Sequence, residues 1–404
     1  MGVHVSAWAH HRRRHGADSE KHYFGTWARY AARTEVGKIG IHPMEFALSE
    51  EQRLLQDSVR RFLEQNAPLD KVRLAAENTH TVQRSLWAGA SELGLTGILI
   101  PEDFGGMGLG FLDAAIVYEM IGRHVAPLPF IGATVMAPLA LMIAGSEAQQ
   151  EKWLPKIAAS EIIAGVAITE KVGIREDAGV KALNGKLTGK SLFVIDWAEA
   201  DLYIVADNDH GLHLVLPDAK GLSRRALNTI DKTRSVGELV FDRVAAEPLP
   251  RSSADAVARI IDAGRVMLAA DTLGAGQMML EKAVAYAEER KQFGRVIGSF
   301  QAVKHLCAEM AAALEPSRSL VWYAAHALDE VPGDARLMAC HAKSHLSEVG
   351  RFVARTATEV HGGMGFTDLL GLHYWFKRIG LDRQLLGGPE LVRLEAARLQ
   401  GWAA

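Results

Sequence analysis

The spacing of the hydrophobic residues changes twice along this chain, and this constrains the fold more than any single motif. Apolar residues recur at helical spacing over 44–160, fall into short β-branched runs over 161–250, and return to helical spacing over 251–404. A capping-box pattern at Ser49 and Gln52 predicts the first helix start, and Asn184-Gly185 favours a two-residue hairpin turn. The sequence therefore predicts an α+β protein: an N-terminal helical domain, a middle antiparallel β domain and a C-terminal helical bundle.

The first 43 residues differ from the rest of the chain. They contain the basic run Arg12–Arg14 and several histidines, but no apolar segment of the kind found in secretory signals. We expect 1–43 to be an extension that is disordered, a mis-assigned start, an expression remnant or an organellar leader. The sequence leaves these alternatives open.

Composition and charge exclude several classes of function. With 45 basic and 48 acidic residues, the formal net charge of −3 provides no broad basic field for nucleic acid. The two cysteines, Cys307 and Cys340, argue against a disulfide framework and a four-thiolate metal site, and they favour a cytoplasmic location. The uncharged stretch Val125–Ser146 contains three prolines, which favours a buried helical pair over a membrane span.

Two short motifs have simpler structural interpretations. Gly189, Lys190 and Ser191 resemble part of a phosphate-binding loop, but the required first glycine is replaced by Asn184, so a hairpin is the better interpretation. The pair His341 and His345 lies one helical turn apart without a further ligand at suitable spacing. The sequence therefore predicts no metal site.

Two strings in the C-terminal third are more specific. The first is Arg290-Lys291-Gln292-Phe293-Gly294, followed by Phe300-Gln301, and it predicts a tight corner that presents a guanidinium group and an aromatic ring. The second is Glu359-Val360-His361-Gly362-Gly363-Met364-Gly365, where consecutive glycines after a helix allow close approach of a ligand to the backbone.

Together with Leu48–Gln52, Pro101–Gly108 and Thr169-Glu170, these strings occur in the order found in the acyl-CoA dehydrogenase family. The chain resembles that family of FAD-dependent enzymes from Met44 to its end. The resemblance implies an acyl-CoA dehydrogenase-like fold, with the flavin between the β domain and the C-terminal helices. It also implies the following cofactor-binding positions: Arg290, Phe293, Gly294, Phe300 and Gln301 for the FAD of a neighbouring subunit; Glu359, Gly362 and Gly363 for its ADP half; and Ile168, Thr169, Val194 and Ile195 for a flavin held by the same chain.

Two of these positions depart from the family pattern. Glu359 stands where the family usually has glutamine, which places a carboxylate where pyrophosphate is expected. Ile195 stands where the family has a hydroxyl donor to the flavin. Both changes are expected to weaken FAD binding by the chain alone.

The position of the catalytic base is the largest departure. Family members carry the glutamate at one of two positions, and both are glycine here, Gly387 and Gly264. Glu390 is the nearest carboxylate that could serve as a relocated base. Asp262 and Arg265 match the family's acyl-CoA-contacting pair, with a surface ion pair as the alternative.

The resemblance implies a subunit that supports FAD-dependent α,β-desaturation of an acyl-CoA together with a homologous partner that keeps the glutamate. The string His373–Arg378 is similar to that of the smaller subunits in heteromeric bacterial members. The alternatives are a self-sufficient enzyme with a relocated base and a non-enzymatic acyl-CoA or protein-binding homologue. The expected partners are acyl-CoA and a homologous subunit or further copies of this chain, as a dimer or tetramer; the electron acceptor is unidentified.

Overall fold

A computed structural model describes residues 47–78, 80–173 and 177–403 of the chain. The predicted extension over 1–43 lies outside these residues. Residues Leu48–Ala404 form one compact unit. Its order of elements is helical, then β, then helical, as the sequence predicts.

The N-terminal part consists of short helices, several of which begin at side-chain caps. The helices are α1 Glu50–Asn66, α2 Leu69–Glu77, α3 Arg84–Glu92, α4 Phe111–Arg123, α5 Ala137–Ala144 and α6 Glu147–Ala158. The predicted capping box is present at α1, where the Ser49 hydroxyl and the Gln52 side chain bind each other's backbone N–H groups. A π-helical turn, Ile131–Met136, leads directly into α5 and is fully buried. Among the described residues, no helix is long and apolar enough to span a membrane.

The middle part is a mixed sheet. Its strands are β1 Ala164–Ala167, β2 Gly179–Leu183, β3 Lys186–Ile195, β4 Leu202–Ala206, β5 Leu212–Val215, β6 Leu222–Ala226, β7 Val236–Ala245 and β8 Glu247–Pro248. They are ordered β6-β7-β3-β1-β4-β5-β8, with β2 paired to β3 through the predicted turn at Asn184 and Gly185, whose φ angles are 51° and 70°. All pairs are antiparallel except β1 and β4, so the expectation of a purely antiparallel sheet is wrong for that pair.

The C-terminal part is built around one long buried helix. The helices are α7 Ala254–Glu289, α8 Gln301–Glu330, α9 Pro332–His361, α10 Leu372–Gln384 and α11 Pro389–Leu399, and the short strands β9 Lys291–Gln292 and β10 Arg295–Val296 form a hairpin between α7 and α8. Helix α7 packs against α4, α8, α9 and α10, and its middle is buried on all sides.

A buried cluster of charges ties the sheet to these helices. Asp271 of α7 receives two hydrogen bonds of 2.8 Å from Arg378 of α10, through Nε and Nη2. The same carboxylate lies 2.7 Å from Arg234, which precedes β7 and also binds Asp382 of α10. Because all four side chains are buried, this cluster fixes how α10 lies between α7 and the sheet.

Candidate active site

The two expected base positions are a glycine in a helix and a glycine in the loop that packs against that helix. Gly264 lies in the buried middle of α7, and Gly387 lies between α10 and α11 with a φ of 105°. A Cβ atom at Gly264 would lie 2.5 Å from Leu386 Cδ1, so the residue before Gly387 rests directly on α7. The structure therefore brings both glycines to the same place.

Both glycines are closely surrounded, mostly by apolar side chains. Besides Leu386, the Sδ atom of Met136 would lie 2.9 Å from a Cβ at Gly264. A Cβ at Gly387 would lie 2.9 Å from Val172 Cγ1 and 3.0 Å from Val392 Cγ2. Neither position has room for a longer side chain without movement of its neighbours.

Asp262 and Arg265 belong to a buried network. Arg265 is 1% exposed and donates from Nε to the carbonyl oxygen of Leu386 at 3.0 Å and from Nη2 to Glu395 at 2.8 Å. Its Nη1 lies 3.4 Å from Asp262, which is 4% exposed. A surface ion pair is therefore the wrong description, and Arg265 instead anchors the loop that carries Gly387.

Burial raises the pKa of Asp262 to about 7, although the nearby Arg265 opposes this shift. The unfolded pKa is about 3.9, so the folded chain binds the extra proton between these two values, and its free energy of unfolding falls as pH rises through that window. We expect Asp262→Asn to reduce this pH dependence by on the order of a few kcal/mol between pH 4 and pH 8.

Urea unfolding at several pH values measures this effect. Asp255→Asn, at an exposed position in the first turn of the same helix, is the matched control. An identical pH profile for wild type and Asp262→Asn would show that the Asp262 carboxyl group does not titrate in this range.

The Glu390 side chain is directed mainly at solvent. It is 71% exposed at the start of α11 and forms an ion pair of 2.9 Å with Arg383. The N-terminal backbone of α11 and Arg383 hold the pKa of this carboxyl group below its usual value. A low pKa and solvent exposure are both unfavourable for a general base.

A cavity of about 150 Å³ lies between the sheet and the loop that carries Gly387. Of the four residues predicted to hold a flavin in this chain, only Thr169 lines it; Ile168, Val194 and Ile195 are at most 3% exposed and pack in the core. The Thr169 hydroxyl donates to the carbonyl oxygen of Leu192 and is thereby engaged within the chain. The apolar lining is completed by Phe193, Leu381, Leu385 and Leu391, among others.

The carboxylate of Asp196 ties the end of β3 to the π-helical turn. Asp196, which follows Ile195, accepts hydrogen bonds from the backbone N–H groups of Gly132 (2.6 Å) and Ala133 (3.1 Å) at the start of the π-helical turn. Burial raises the pKa of Asp196 to about 6. These bonds fix the turn that carries Met136 over Gly264.

The predicted corner protrudes from the surface. Phe293 is 92% exposed at the tip of the β9–β10 hairpin, with a φ of 52°, and Gly294 follows with a φ of 76°. The Phe293 and Phe300 rings meet edge-on at 6.1 Å. Arg290 and Gln301 are exposed beside them, and among the described residues Arg290 forms no ion pair. A ring held exposed at a strained turn is typical of a contact with another molecule.

The glycine string lies close to the base of this corner. Tyr286, one turn before Arg290, stacks on His361 at 4.6 Å, and His361 immediately precedes Gly362. Gly362 and Gly363 are exposed, and a Cβ at either would meet no atom within 4 Å. Glu359 is exposed in the last turn of α9. The two strings that the sequence singled out are therefore brought together on one surface.

Comparisons with known proteins show the family of this chain. Family models described as "Acyl-CoA dehydrogenase, N-terminal domain" and "Acyl-CoA dehydrogenase, C-terminal domain" match residues 49–161 and 254–399. The acyl-CoA dehydrogenase IpdE2 of Mycolicibacterium smegmatis is 30% identical over 86% of this chain and 99% of its own length. The chain belongs to the acyl-CoA dehydrogenase family. Acyl-CoA dehydrogenases are flavin-dependent oxidoreductases that act on CH–CH bonds, and FAD is their cofactor.

Two further relatives support the assignment. Glutaryl-CoA dehydrogenase of Desulfococcus multivorans is 29% identical over 80% of this chain and 90% of its own. A solved structure described as "Tcur3481-Tcur3483 steroid ACAD G363A variant" is 29% identical, with a TM-score of 0.79 over 87% of this chain and 98% of that one.

The residues around the cavity do not fit the isoalloxazine ring of FAD within this acyl-CoA dehydrogenase chain. The cavity is about half the size at which ligand pockets usually begin, about 300 Å³. Its Thr169 hydroxyl is engaged, and Ile195 offers no donor. By contrast, the exposed Arg290 guanidinium and the open backbone at Gly362 and Gly363 are groups of the kind that bind phosphate.

Sequence reasoning missed Met136 and Leu386. Each lies in an apolar run that is indistinguishable from ordinary core, and only the fold reveals that both pack against Gly264. The sequence contains no signal from which this contact could be found.

Proposed function

We propose that this chain is a subunit of a heteromeric acyl-CoA dehydrogenase, in which a homologous partner supplies the general base and the flavin site. This chain supplies the surface that completes the partner's FAD pocket. The observation that carries the proposal is the glycine at both expected base positions, with Met136 and Leu386 packed against Gly264 and with Val172 and Val392 packed against Gly387.

The reaction requires groups that this chain does not bring together. Bound FAD would supply the acceptor for the hydride from the β-carbon of the acyl chain, and a carboxylate base would be needed at the α-carbon. In the described part of this chain, the loop carrying Gly387 is held by Arg265, and the candidate relocated base, Glu390, is exposed and paired with Arg383. A general base contributes about 10² to 10⁴-fold in rate, so a chain without one needs a partner.

The contribution of this chain is positioning. Arg290 and Phe293 are both exposed at this corner, and the Tyr286–His361 stack connects its base to Gly362 and Gly363. These groups suit the pyrophosphate and the flat rings of a cofactor presented by another chain. The carboxylate of Glu359 is free to turn into solvent, which limits its repulsion of the pyrophosphate.

The names of two relatives are consistent with this proposal. The description of one solved structure contains two protein designations, Tcur3481 and Tcur3483, and the words "steroid ACAD". The other, IpdE2, is named an acyl-CoA dehydrogenase. We accordingly propose a steroid-derived acyl-CoA as the first substrate class to assay.

Acyl-CoA oxidation with an artificial electron acceptor tests the proposal. The assay is run on this chain alone, on a co-expressed homologue that keeps the glutamate, and on the mixture. We expect activity in the mixture that exceeds the sum of the separate chains. Full turnover by this chain alone, abolished by Glu390→Gln, would replace the proposal with a self-sufficient enzyme that has a relocated base.

The chain purified alone is expected to contain little FAD, because its own cavity is small, Thr169 is engaged and Ile195 offers no donor. The flavin absorbance per mole of protein, measured before and after incubation with excess FAD, checks this. A stoichiometric yellow protein would contradict it. Flavin that appears only after assembly with the partner would support the shared pocket.

Arg290→Ala is expected to weaken FAD retention by the assembled complex about 10- to 100-fold, the usual loss for a charge-assisted hydrogen bond. Because Arg290 is exposed and unpaired among the described residues, the stability of this chain itself should change by less than about 0.5 kcal/mol. Fluorometric FAD titration and thermal unfolding separate the two effects. Lys291→Ala, at the adjacent exposed position, is the matched control. Unchanged FAD affinity with a large stability loss would make the corner purely structural.

A further inference from the structure

A second pocket lies away from the loop that carries Gly387. It is formed between α2, the residues before β7 and the start of α10. Its volume is about 290 Å³, near the lower end of the range for ligand sites. Arg73 of α2, Lys232 and Asp231 before β7, and Tyr374 and Lys377 of α10 line its walls. The pocket is therefore built from three separate parts of the chain.

Neither lysine lining this pocket forms an ion pair among the described residues. Lys377 forms no ion pair or hydrogen bond among the described residues, and Lys232 Nζ contacts only the Asn228 amide oxygen, at 3.1 Å. The residue that precedes helix α10 is Gly371, which has no side chain to bind the free N–H groups of the first turn. Two lysines beside an uncapped helix start form a site that attracts an anion.

Arg73 and Asp368, which also line the pocket, already form contacts within the chain. Arg73 donates to the carbonyl oxygens of Asp368 and Leu369 at 2.5 and 3.0 Å, which closes one wall. The Asp368 carboxylate lies 3.7 Å from Arg73 Nε and 3.5 Å from His373 Nε2. Glu77 is exposed at the rim. Asp368 therefore opposes an incoming anion less than a free carboxylate would.

Asp231 imposes a second requirement on the ligand. Its side chain is fully buried, and Oδ1 accepts hydrogen bonds of 2.8 and 2.7 Å from the backbone and hydroxyl of Thr233. Its Oδ2 is buried without any hydrogen-bond partner among the described residues. A buried acceptor without a donor is costly, so a ligand that binds here must supply an N–H or O–H group as well as an anion.

The aromatic wall indicates the shape of that ligand. Tyr374 forms a tilted pair with His373, with ring centroids 4.1 Å apart, and both rings are half-buried. Rings in this position stack well on a planar heterocycle. Inorganic phosphate satisfies only the lysines, whereas a nucleoside phosphate brings an anion, amino and hydroxyl donors, and a flat base.

We propose that this pocket binds a nucleoside phosphate, with its phosphate on Lys232 and Lys377, its base against Tyr374, and a base or ribose donor directed at Asp231. The same chemistry occurs in free adenine nucleotides and in the adenosine phosphate portion of coenzyme A. The proposal does not rest on the role of the chain as a dehydrogenase subunit, since it concerns binding to a separate set of residues.

Isothermal titration of the full chain with ADP, coenzyme A, adenosine and inorganic phosphate tests this. We expect ADP or coenzyme A to bind more tightly than about 1 mM, with adenosine and inorganic phosphate each about tenfold weaker or more. Tighter binding of ADP would identify the free nucleotide as the ligand, and tighter binding of coenzyme A would identify the thioester carrier. Equal binding of inorganic phosphate and ADP would overturn the nucleoside part of the proposal.

Variants decide whether binding occurs at this pocket. Lys377→Met and Lys232→Met are each expected to weaken ADP binding about tenfold or more, the usual effect of losing a bond to a charged group. Lys71→Met, at an exposed position of α2 outside the pocket, is the matched control and should leave binding unchanged. Thermal unfolding of each variant verifies that the fold is intact. Binding that is absent for both nucleotides, or unaffected by both lysine variants, would refute the proposal.

Discussion

Replacing Gly387 with glutamate is expected to destabilise the chain by about 2 to 5 kcal/mol and to leave it without dehydrogenase activity. The φ of 105° is strained for any residue with a Cβ, at a cost of about 1 to 3 kcal/mol. The new Cβ would also lie 2.9 Å from Val172 and 3.0 Å from Val392, and such overpacking costs about 1 to 3 kcal/mol. Restoring the family's carboxylate at this position therefore conflicts with the packing around it.

Urea unfolding and the acyl-CoA oxidation assay measure both parts of this prediction. Gly387→Ala isolates the cost of the first carbon atom, and Gly388→Ala is the matched control. The neighbouring glycine has a φ of −67°, and a Cβ there would meet only the flexible ends of Gln384 and Glu390, at 3.3 and 3.4 Å. We expect the control to change stability by less than about 0.5 kcal/mol. A stable and active Gly387→Glu chain would show that only the base is missing from an otherwise intact site.

Those features of the fold that depend on local chemistry could be predicted from the sequence. The capping box at Ser49 and the positive φ angles at Asn184 and Gly185 follow from the preferences of a few adjacent residues. The exposed corner at Arg290 and Phe293 follows in the same way. A glycine favours a tight turn between the helix and the short hairpin, and a tight turn leaves these long side chains on the surface.

Features that depend on distant contacts could not be predicted. Leu386 meets Gly264 across more than a hundred residues, and Asp271 and Arg378 are separated by 107 positions. Asp262 and Arg265 illustrate the same limit: their i, i+3 spacing predicts that they are neighbours, but only the packing of α11 shows that the pair is buried. Local spacing determines which residues can pair, while tertiary packing determines whether water reaches them.

The buried charge cluster provides the second large expected effect. Asp271 is the carboxylate that holds both Arg378, by two bonds of 2.8 Å, and Arg234, at 2.7 Å. Asp271 is fully buried, and Arg378 is only 1% exposed. Removing one partner of a buried pair leaves the opposite charge uncompensated, which costs about 3 to 5 kcal/mol. Asp271→Ala is therefore expected to reduce the free energy of unfolding by about that amount, since Arg378 loses its carboxylate partner and Arg234 keeps only Asp382.

Chemical unfolding of Asp271→Ala, compared with Asp57→Ala, measures this loss. Asp57 pairs with Arg60 at 2.8 Å, but both side chains are about half exposed, so its removal should cost less than about 1 kcal/mol. If the unpaired Arg378 guanidinium causes the loss of stability, adding Arg378→Met to Asp271→Ala should recover part of it, because an apolar side chain then replaces the unpaired guanidinium. A cost for Asp271→Ala no larger than that of the control, or a double variant less stable than the single one, would show that the cluster does not hold α10 in place through its charges.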